Sequence, residues 1–290
     1  MALLGLPGSE ESKIKKSLTS PADCIVYDLE DSVAPNRKGA ARELVFDALK
    51  LKSETGPELA VRINAVGSGI EFDDLNVILQ SPHLDTILIP KVQSARDIDF
   101  VCRLIELIGH ERSQPHVRII ASIENALGIL SLKEIATASP QRVDALLFAA
   151  EDFCADMGLH RSPAKTEMLY ARSAVATTAH AYGLQAIDLV CMDFRNPEVL
   201  VKECVNGRDM GFTGKQAIHP NQIETIQNTF MPSEDQIQRA KKIIAGYEIS
   251  EREGKGAYGL DGLAIDLPVY KWALKIMQRA GTPHIHAGSH

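Results

Sequence analysis

Eight short apolar runs, separated by stretches of helical periodicity, recur along the first 230 residues of a 290-residue chain. The runs fall at 2–6, 24–29, 59–63, 86–89, 117–123, 146–150, 185–188 and 212–217. Most are apolar throughout rather than alternating, as expected of strands covered on both faces of a parallel sheet. Helices are expected over 9–18, 37–51, 71–80, 95–108, 125–137, 165–182 and 198–210. Eight such repeats in this length predict a closed (β/α)8 TIM barrel rather than an open sheet. No Gly-x-Gly-x-x-Gly follows the first run, which argues against a dinucleotide-binding fold.

The pattern changes after Met231-Pro232. Ser233 with Gln236 reads as a capping box opening a charged helix to about residue 253. Residues 254–262 hold four glycines and read as a loop that reaches over something, and a last helix is expected over 269–279. The organisation predicted is a catalytic barrel, 1–230, and a C-terminal helical extension, 231–290.

Composition removes several function classes. The net charge of −7 and the lack of a basic stripe argue against nucleic acid. No apolar run reaches the roughly 18 residues of a membrane span. Five cysteines form no Cys-x-x-Cys pair and read as reduced, buried thiols of an intracellular protein. No Cys/His cluster has zinc spacing. Met1 runs almost directly into the first apolar segment, so the expectation is a cytosolic protein or one whose presequence has been removed. The polar end, 284–290, carries three histidines that would bind metal only by accident.

Residues just past the C-terminal ends of barrel strands share one face, where barrels keep their chemistry. Here they are Asp28, Glu30 and Asp31, Arg62 and Asn64, Lys91, Glu124, Glu151 and Asp152, Asp188, and His219. Helix capping alone explains single acids. It does not explain Arg62 and Lys91 set among carboxylates. Hard oxygen donors without soft ones suit Mg²⁺, with Mn²⁺ as a substitute. Mg²⁺ takes one or two protein carboxylates, and Glu124 with either Glu151 or Asp152 meets that count. A cation with open positions would chelate a 2-oxo or 2-hydroxy acid and polarise its carbonyl. Arg62 is placed either to stabilise charge on a reacting oxygen or to pair with Asp28 or Glu30.

Tyr27-Asp28-Leu29-Glu30-Asp31-Ser32-Val33 with Lys38 and Ala41-Arg42, Val61-Arg62-Ile63-Asn64, and Pro90-Lys91-Val92 form an ordered set. Ser122-Ile123-Glu124-Asn125-Ala126-Leu127-Gly128, Ala150-Glu151-Asp152-Phe153 and Gly214-Lys215-Gln216-Ala217-Ile218-His219-Pro220 complete it. Over nearly the whole chain this set resembles the citrate lyase beta-subunit and malyl-CoA lyase family, the HpcH/HpaI-type aldolases. The runs 181–190 and 211–223 are most similar to its eukaryotic, mitochondrial citramalyl-CoA lyase branch.

The resemblance implies a trimer of (β/α)8 barrels, each with a C-terminal helical extension. It implies Mg²⁺ ligands at Glu124 and Asp152, a substrate-binding arginine at Arg62, and Ile218 and His219 closing the site. The general acid/base would be Asp266, carried by the extension into a neighbouring subunit, and Lys16 would contact coenzyme A. The implied reaction is reversible cleavage of citramalyl-CoA, or malyl-CoA, to acetyl-CoA and pyruvate, or glyoxylate. The alternatives are a coenzyme A-independent aldolase of hydroxy-keto acids and a non-catalytic subunit of a citrate lyase-type complex. Three departures touch the acyl-CoA contacts. Gly5-Leu6-Pro7-Gly8 lacks the aromatic residue usual before Val-Pro-Gly, Ser12 stands where a lysine is expected, and the arginine that often precedes the first strand is absent.

Overall fold

A computed structural model describes residues 1–111 and 114–281. Two compact units divide the chain, Met1–Phe230 and the part from Met231 onward. In the first, eight parallel strands close into a barrel in sequence order. They are β1 (Ala2–Pro7), β2 (Cys24–Asp28), β3 (Glu58–Arg62), β4 (Thr86–Ile89), β5 (Arg118–Ile123), β6 (Val143–Phe148), β7 (Gln185–Asp188) and β8 (Gly214–Ala217). The helices are α1 (Glu11–Ser17), α2 (Lys38–Leu49), α3 (Glu71–Ile78), α4 (Ala95–Ile108), α5 (Ala126–Leu130) and α6 (Leu132–Thr137). They continue with α7 (Ala150–Met157), α8 (Leu169–Ala181), α9 (Pro197–Asp209) and α10 (Ile223–Phe230).

Side chains alternate along a strand, so each strand feeds two cores. Leu3, Val26, Ala60, Leu88, Ile120, Leu147 and Ile187 fill the barrel interior. Leu4, Ile25, Val61, Ile87, Ile119 and Leu146 pack outward in the larger core that the helices share. The same period carries the functional groups. Two residues beyond Val26 and Ala60 stand Asp28 and Arg62, paired across β2 and β3. Two and four residues beyond Ile120 stand Ser122 and Glu124. The interior is thus apolar at depth and polar at its C-terminal mouth.

Asp188 departs from the expected ring at the mouth. Because Ile187 points inward, Asp188 points out, where Arg172 of α8 donates to its carboxylate at 3.1 and 2.8 Å. Lys215, fully buried on β8, lies 3.8 Å from Asp188 and 3.3 Å from Glu203. This network ties α8 and α9 to the barrel.

Other differences are local. The helix expected over 125–137 is two helices, α5 and α6, meeting at Ser131. β6 starts at Val143, and Glu151 and Asp152 sit in the first turn of α7 rather than on a bare strand tip. A 3₁₀ turn, Thr166–Met168, precedes α8. α10 was not expected, although buried Ile223, Ile226 and Phe230 follow a helical spacing.

The second unit holds α11 (Glu234–Arg252), the antiparallel pair β9 (Tyr258–Leu260) and β10 (Leu263–Ile265), and α12 (Leu267–Arg279). Its glycine-rich segment is therefore a hairpin, not a loop. Asp261 and Gly262, with φ of 50° and 79°, form its two-residue turn, a conformation that Asp-Gly adopts at low cost. Tyr258 lies over Gly246, where any Cβ would overlap its ring, and its hydroxyl donates to the Ile243 carbonyl at 3.0 Å. All five cysteines are buried and free. Among the described residues no helix is long and apolar enough to cross a membrane. The histidines of 284–290 lie outside the described residues.

Arg172→Leu should strand Asp188 with only the more distant Lys215, and a loss of about 3–5 kcal/mol is expected for breaking a buried pair. The double change with Asp188→Leu should recover much of it. Urea denaturation midpoints of the three proteins check this.

Candidate active site at the barrel mouth

A cleft of about 370 Å³ opens where the strands end. Lys13, Asp28, Ser32, Arg62, Ser122 and Gln216 supply its polar lining, while Pro7, Val26, Leu88, Leu147, Ala149, Val190 and Ile218 supply most of the apolar part.

Arg62 and Asp28 form its fixed wall. Arg62 Nε and Nη2 donate to the two Asp28 oxygens, each at 2.7 Å. Asp28 also accepts from the Glu30 amide at 2.8 Å, the Ser32 amide at 3.1 Å and the Ser32 hydroxyl. Burial alone would raise the Asp28 pKa, but Arg62 and these donors hold it below the usual carboxylate range. For Arg62, burial works against the charge, yet Asp28 and Glu30 outweigh it and raise its pKa. The bidentate pair uses Nε and one hydrogen of Nη2. Nη1 stands 3.2 Å from Glu30 Oε2, an oxygen that accepts no hydrogen bond. The pairing expected for Arg62 is thus present, and it orients the guanidinium toward the cleft rather than removing it.

Glu30 links this wall to the next strand. Lys91, after β4, donates to Glu30 Oε1 at 2.7 Å and to Asp31 at 3.0 Å from a left-handed backbone with φ 52°. Behind it, Lys38 Nζ donates to the carbonyls of Leu29 and Glu30 and to Asn64 Oδ1, at 2.7, 2.8 and 2.7 Å. Lys38 therefore shapes the loop that carries Glu30.

Glu124 is the anomaly. It is 2% exposed, and neither carboxylate oxygen accepts a hydrogen bond. Burial pushes its pKa up to about 7; the nearby Ser122 hydroxyl and the Arg62 charge oppose the rise, while Asp152 and Glu30 add to it. An ionised carboxylate buried without donors is costly, and a bound cation removes that cost. Glu151, the other candidate beside Asp152, is exposed and paired with Arg161. Asp152 is half-buried in the first turn of α7, and its charge is one that Glu124 feels. Among the described residues no group of three or more His, Cys, Asp or Glu is arranged to hold a metal. Two carboxylates and open positions suit a hard ion that keeps water and substrate ligands.

A second cleft of about 460 Å³ adjoins the first, with Gly5, Leu6, Pro7, Lys13 and Ile218 common to both. Lys16, Pro21 and His219 also line it. His219 stacks on Phe194 with ring centres 5.1 Å apart, and its Nδ1 accepts from the Asn221 amide at 3.2 Å. The neutral ring therefore carries its proton on Nε2. Asp266 belongs to the second unit. It caps α12, accepting from the Val269 amide at 3.3 Å, and its side chain is exposed.

Ser122 and Gln216 are not among the strand-end residues that stand out in the sequence as candidate site residues. Both were reachable by alternation, Ser122 from Glu124 and Gln216 from its register with inward Leu3. Lys38 had no positional signal of its own, because its carbonyl partners come from a loop.

A profile of the HpcH/HpaI aldolase/citrate lyase family matches residues 2–220. The chain is 40% identical over 283 residues to the human mitochondrial citramalyl-CoA lyase, covering 94% of this chain and 83% of that one. It is 32% identical over 283 residues to citrate lyase subunit beta of Escherichia coli K12, covering 96% and 92%. Among solved structures it resembles the protein CitE of Mycobacterium tuberculosis in complex with magnesium, acetoacetate and coenzyme A. That likeness has a TM-score of 0.77 and 28% identity, and covers 97% of each chain.

A cation held by Glu124 would have to displace the proton this group holds below about pH 7. Mg²⁺ affinity should therefore weaken toward acid pH, approaching about tenfold per unit well below that value. Calorimetric titrations of the metal-free protein across this range check it. An affinity independent of pH would contradict the assignment of Glu124.

Proposed function

The chain belongs to the HpcH/HpaI aldolase/citrate lyase family, and on that premise we propose that it is a Mg²⁺-dependent lyase of carboxylated 3-hydroxyacyl-CoA thioesters. Citramalyl-CoA is the first candidate substrate and malyl-CoA the second. The observation that carries this reading is Glu124, a buried carboxylate without donors, in the same barrel mouth as the oriented Arg62. The kinship to a citramalyl-CoA lyase and to a structure holding magnesium and coenzyme A supports it.

Glu124 and Asp152 would hold the ion, with Mn²⁺ as a substitute, and when bound it supplies Lewis-acid polarisation of the 2-oxo acid. The rest falls to side chains. In the condensation direction Asp266 removes a proton from the methyl carbon of acetyl-CoA. Asp266 Oδ1 is engaged by the Val269 amide, leaving Oδ2 for the proton. The carbon–carbon bond forms at the keto carbon of pyruvate or glyoxylate. Negative charge then gathers on the former carbonyl oxygen, where the Arg62 guanidinium stabilises it, and a proton from solvent converts that oxygen into the hydroxyl of the product. Cleavage runs the same steps backward, with Asp266 returning the proton to the acetyl carbon.

The second cleft is the proposed coenzyme A groove. Lys16 would meet the anionic part of the thioester, Lys13 would take the part expected of a lysine at Ser12, and Ile218 and His219 would border the acyl end. Gly5 has no atoms within 4 Å of where a Cβ would stand, so the missing aromatic residue leaves room in this groove.

Asp266 is proposed to act in a neighbouring subunit of a homotrimer, with the unit from Met231 as its carrier. Exposed Leu127, Leu130, Met157, Leu169 and Tyr170 on α5, α7 and α8 support an interface between copies. A mitochondrial setting is proposed from the mitochondrial relatives.

NMR of the purified protein with Mg²⁺, acetyl-CoA and either pyruvate or glyoxylate should show the condensed thioester. Absence of product with both keto acids, and of cleavage of both thioesters, would overturn the reading. Turnover of the free hydroxy acids in place of the thioesters would point to the coenzyme A-independent aldolase.

Asp266→Asn should lower kcat by about 10²–10⁴-fold while leaving Mg²⁺ affinity intact. Asp152→Ala should lose both activity and metal affinity yet unfold at nearly the wild-type temperature. Steady-state kinetics, calorimetry and thermal melts on the two variants separate the roles.

A further inference from the structure

The exits of β6 and β7 are neighbours at the barrel mouth, and each delivers a cleft residue, Ala149 from one and Val190 from the other. One side chain spans them. Arg161, in the connection between α7 and α8, donates through Nη1 to Glu151 in the first turn of α7. Through Nη2 it donates to the Val190 carbonyl at 2.8 Å. A guanidinium is suited to this because its donors lie in one rigid plane and serve two acceptors at once.

The connection itself is held on both sides of Arg161. Before it, Gly158 ends α7 in a left-handed conformation with φ 64°. After it, the Ser162 amide and hydroxyl donate to Glu167 at 2.8 and 2.6 Å, and Lys165 pairs with Glu203 at 2.9 Å. Arg161 is thus a fixed strut rather than a surface side chain in search of a partner. Its acceptor Glu151 is adjacent in sequence to Asp152.

We propose that Arg161 is a positioning residue that sets the Asp152 carboxylate relative to Glu124 by clamping the first turn of α7 to the β7 exit. This rests on the reading of Asp152 as a cation ligand. The clamp and a bare charge effect make opposite predictions. An arginine acting only through its charge opposes a nearby Mg²⁺, so its removal would tighten binding. A clamp keeps a ligand in place, so its removal weakens binding.

Calorimetry with Mg²⁺ alone decides between them. Arg161→Met should weaken Mg²⁺ affinity about tenfold, in the range seen when partners of metal ligands are removed. Arg161→Lys, which reaches one acceptor but not both, should fall between. Glu151→Gln keeps an acceptor for Arg161 and should stay close to wild type, whereas Glu151→Ala should behave like Arg161→Met. Glu151 is exposed, so these two variants remain informative even if Arg161→Met folds poorly.

Hydrogen–deuterium exchange of the 149–153 amides, in metal-free protein, reads the clamp without the ion. Exchange there should quicken in Arg161→Met and Glu151→Ala. Unchanged or tighter Mg²⁺ affinity in both variants overturns the proposal, as does unchanged exchange. If wild-type protein itself takes up no Mg²⁺, the lyase reading fails, and the exchange measurement alone decides the fate of the clamp.

Discussion

A guanidinium held by two hydrogen bonds to a buried carboxylate organises the mouth of this barrel. Asp28 and Arg62 are register partners on β2 and β3, so strand pairing sets their separation before either side chain acts. Asp28 in turn accepts from the Glu30 and Ser32 amides, which bends the loop after β2 back over its own strand. Glu30 is carried by that loop to Lys91, and Lys38 braces the same loop from behind. Loss of this one pair would release the polar wall on which the site is built.

Opposite that wall the chemistry is of another kind. Most buried polar atoms at the mouth are matched, and Glu124 is not. Such a group is costly to keep ionised, because an uncompensated buried charge works against folding. The acids at the strand ends are sorted by what else they touch. Glu151 is taken by Arg161, Glu30 by Lys91, and Asp188 by Arg172 on the far side of the sheet. Among the described residues, Asp152 is an acid near Glu124 without a basic partner of this kind. The second cleft, which Lys16 also lines, shares Gly5, Leu6, Pro7, Lys13 and Ile218 with the cleft that Arg62 faces.

Much of this architecture could be read from residue order. Apolar runs at barrel spacing predicted all eight strands, and the Ser233–Gln236 capping box correctly marked the start of α11. Local chemistry that depends on two or three residues was legible where its signal was known. It was overlooked at the Asp261-Gly262 turn, whose residue types announce a hairpin. Helix breaks at Ser131 and before Leu169 were not legible, because neither carries proline or glycine at the break.

The sequence by itself determined which residues stand at the strand ends, since a period of two in a closed barrel leaves each side chain only an inner or an outer face. Only the tertiary structure decided what each of those residues meets. Asp188 and Asp28 are both acids that close a strand, yet one faces a helix and the other the cleft. That difference arises from barrel register, which counts across neighbouring strands rather than along the chain. The same holds for Glu124, whose want of donors is a property of everything packed around it and of no residue beside it in sequence.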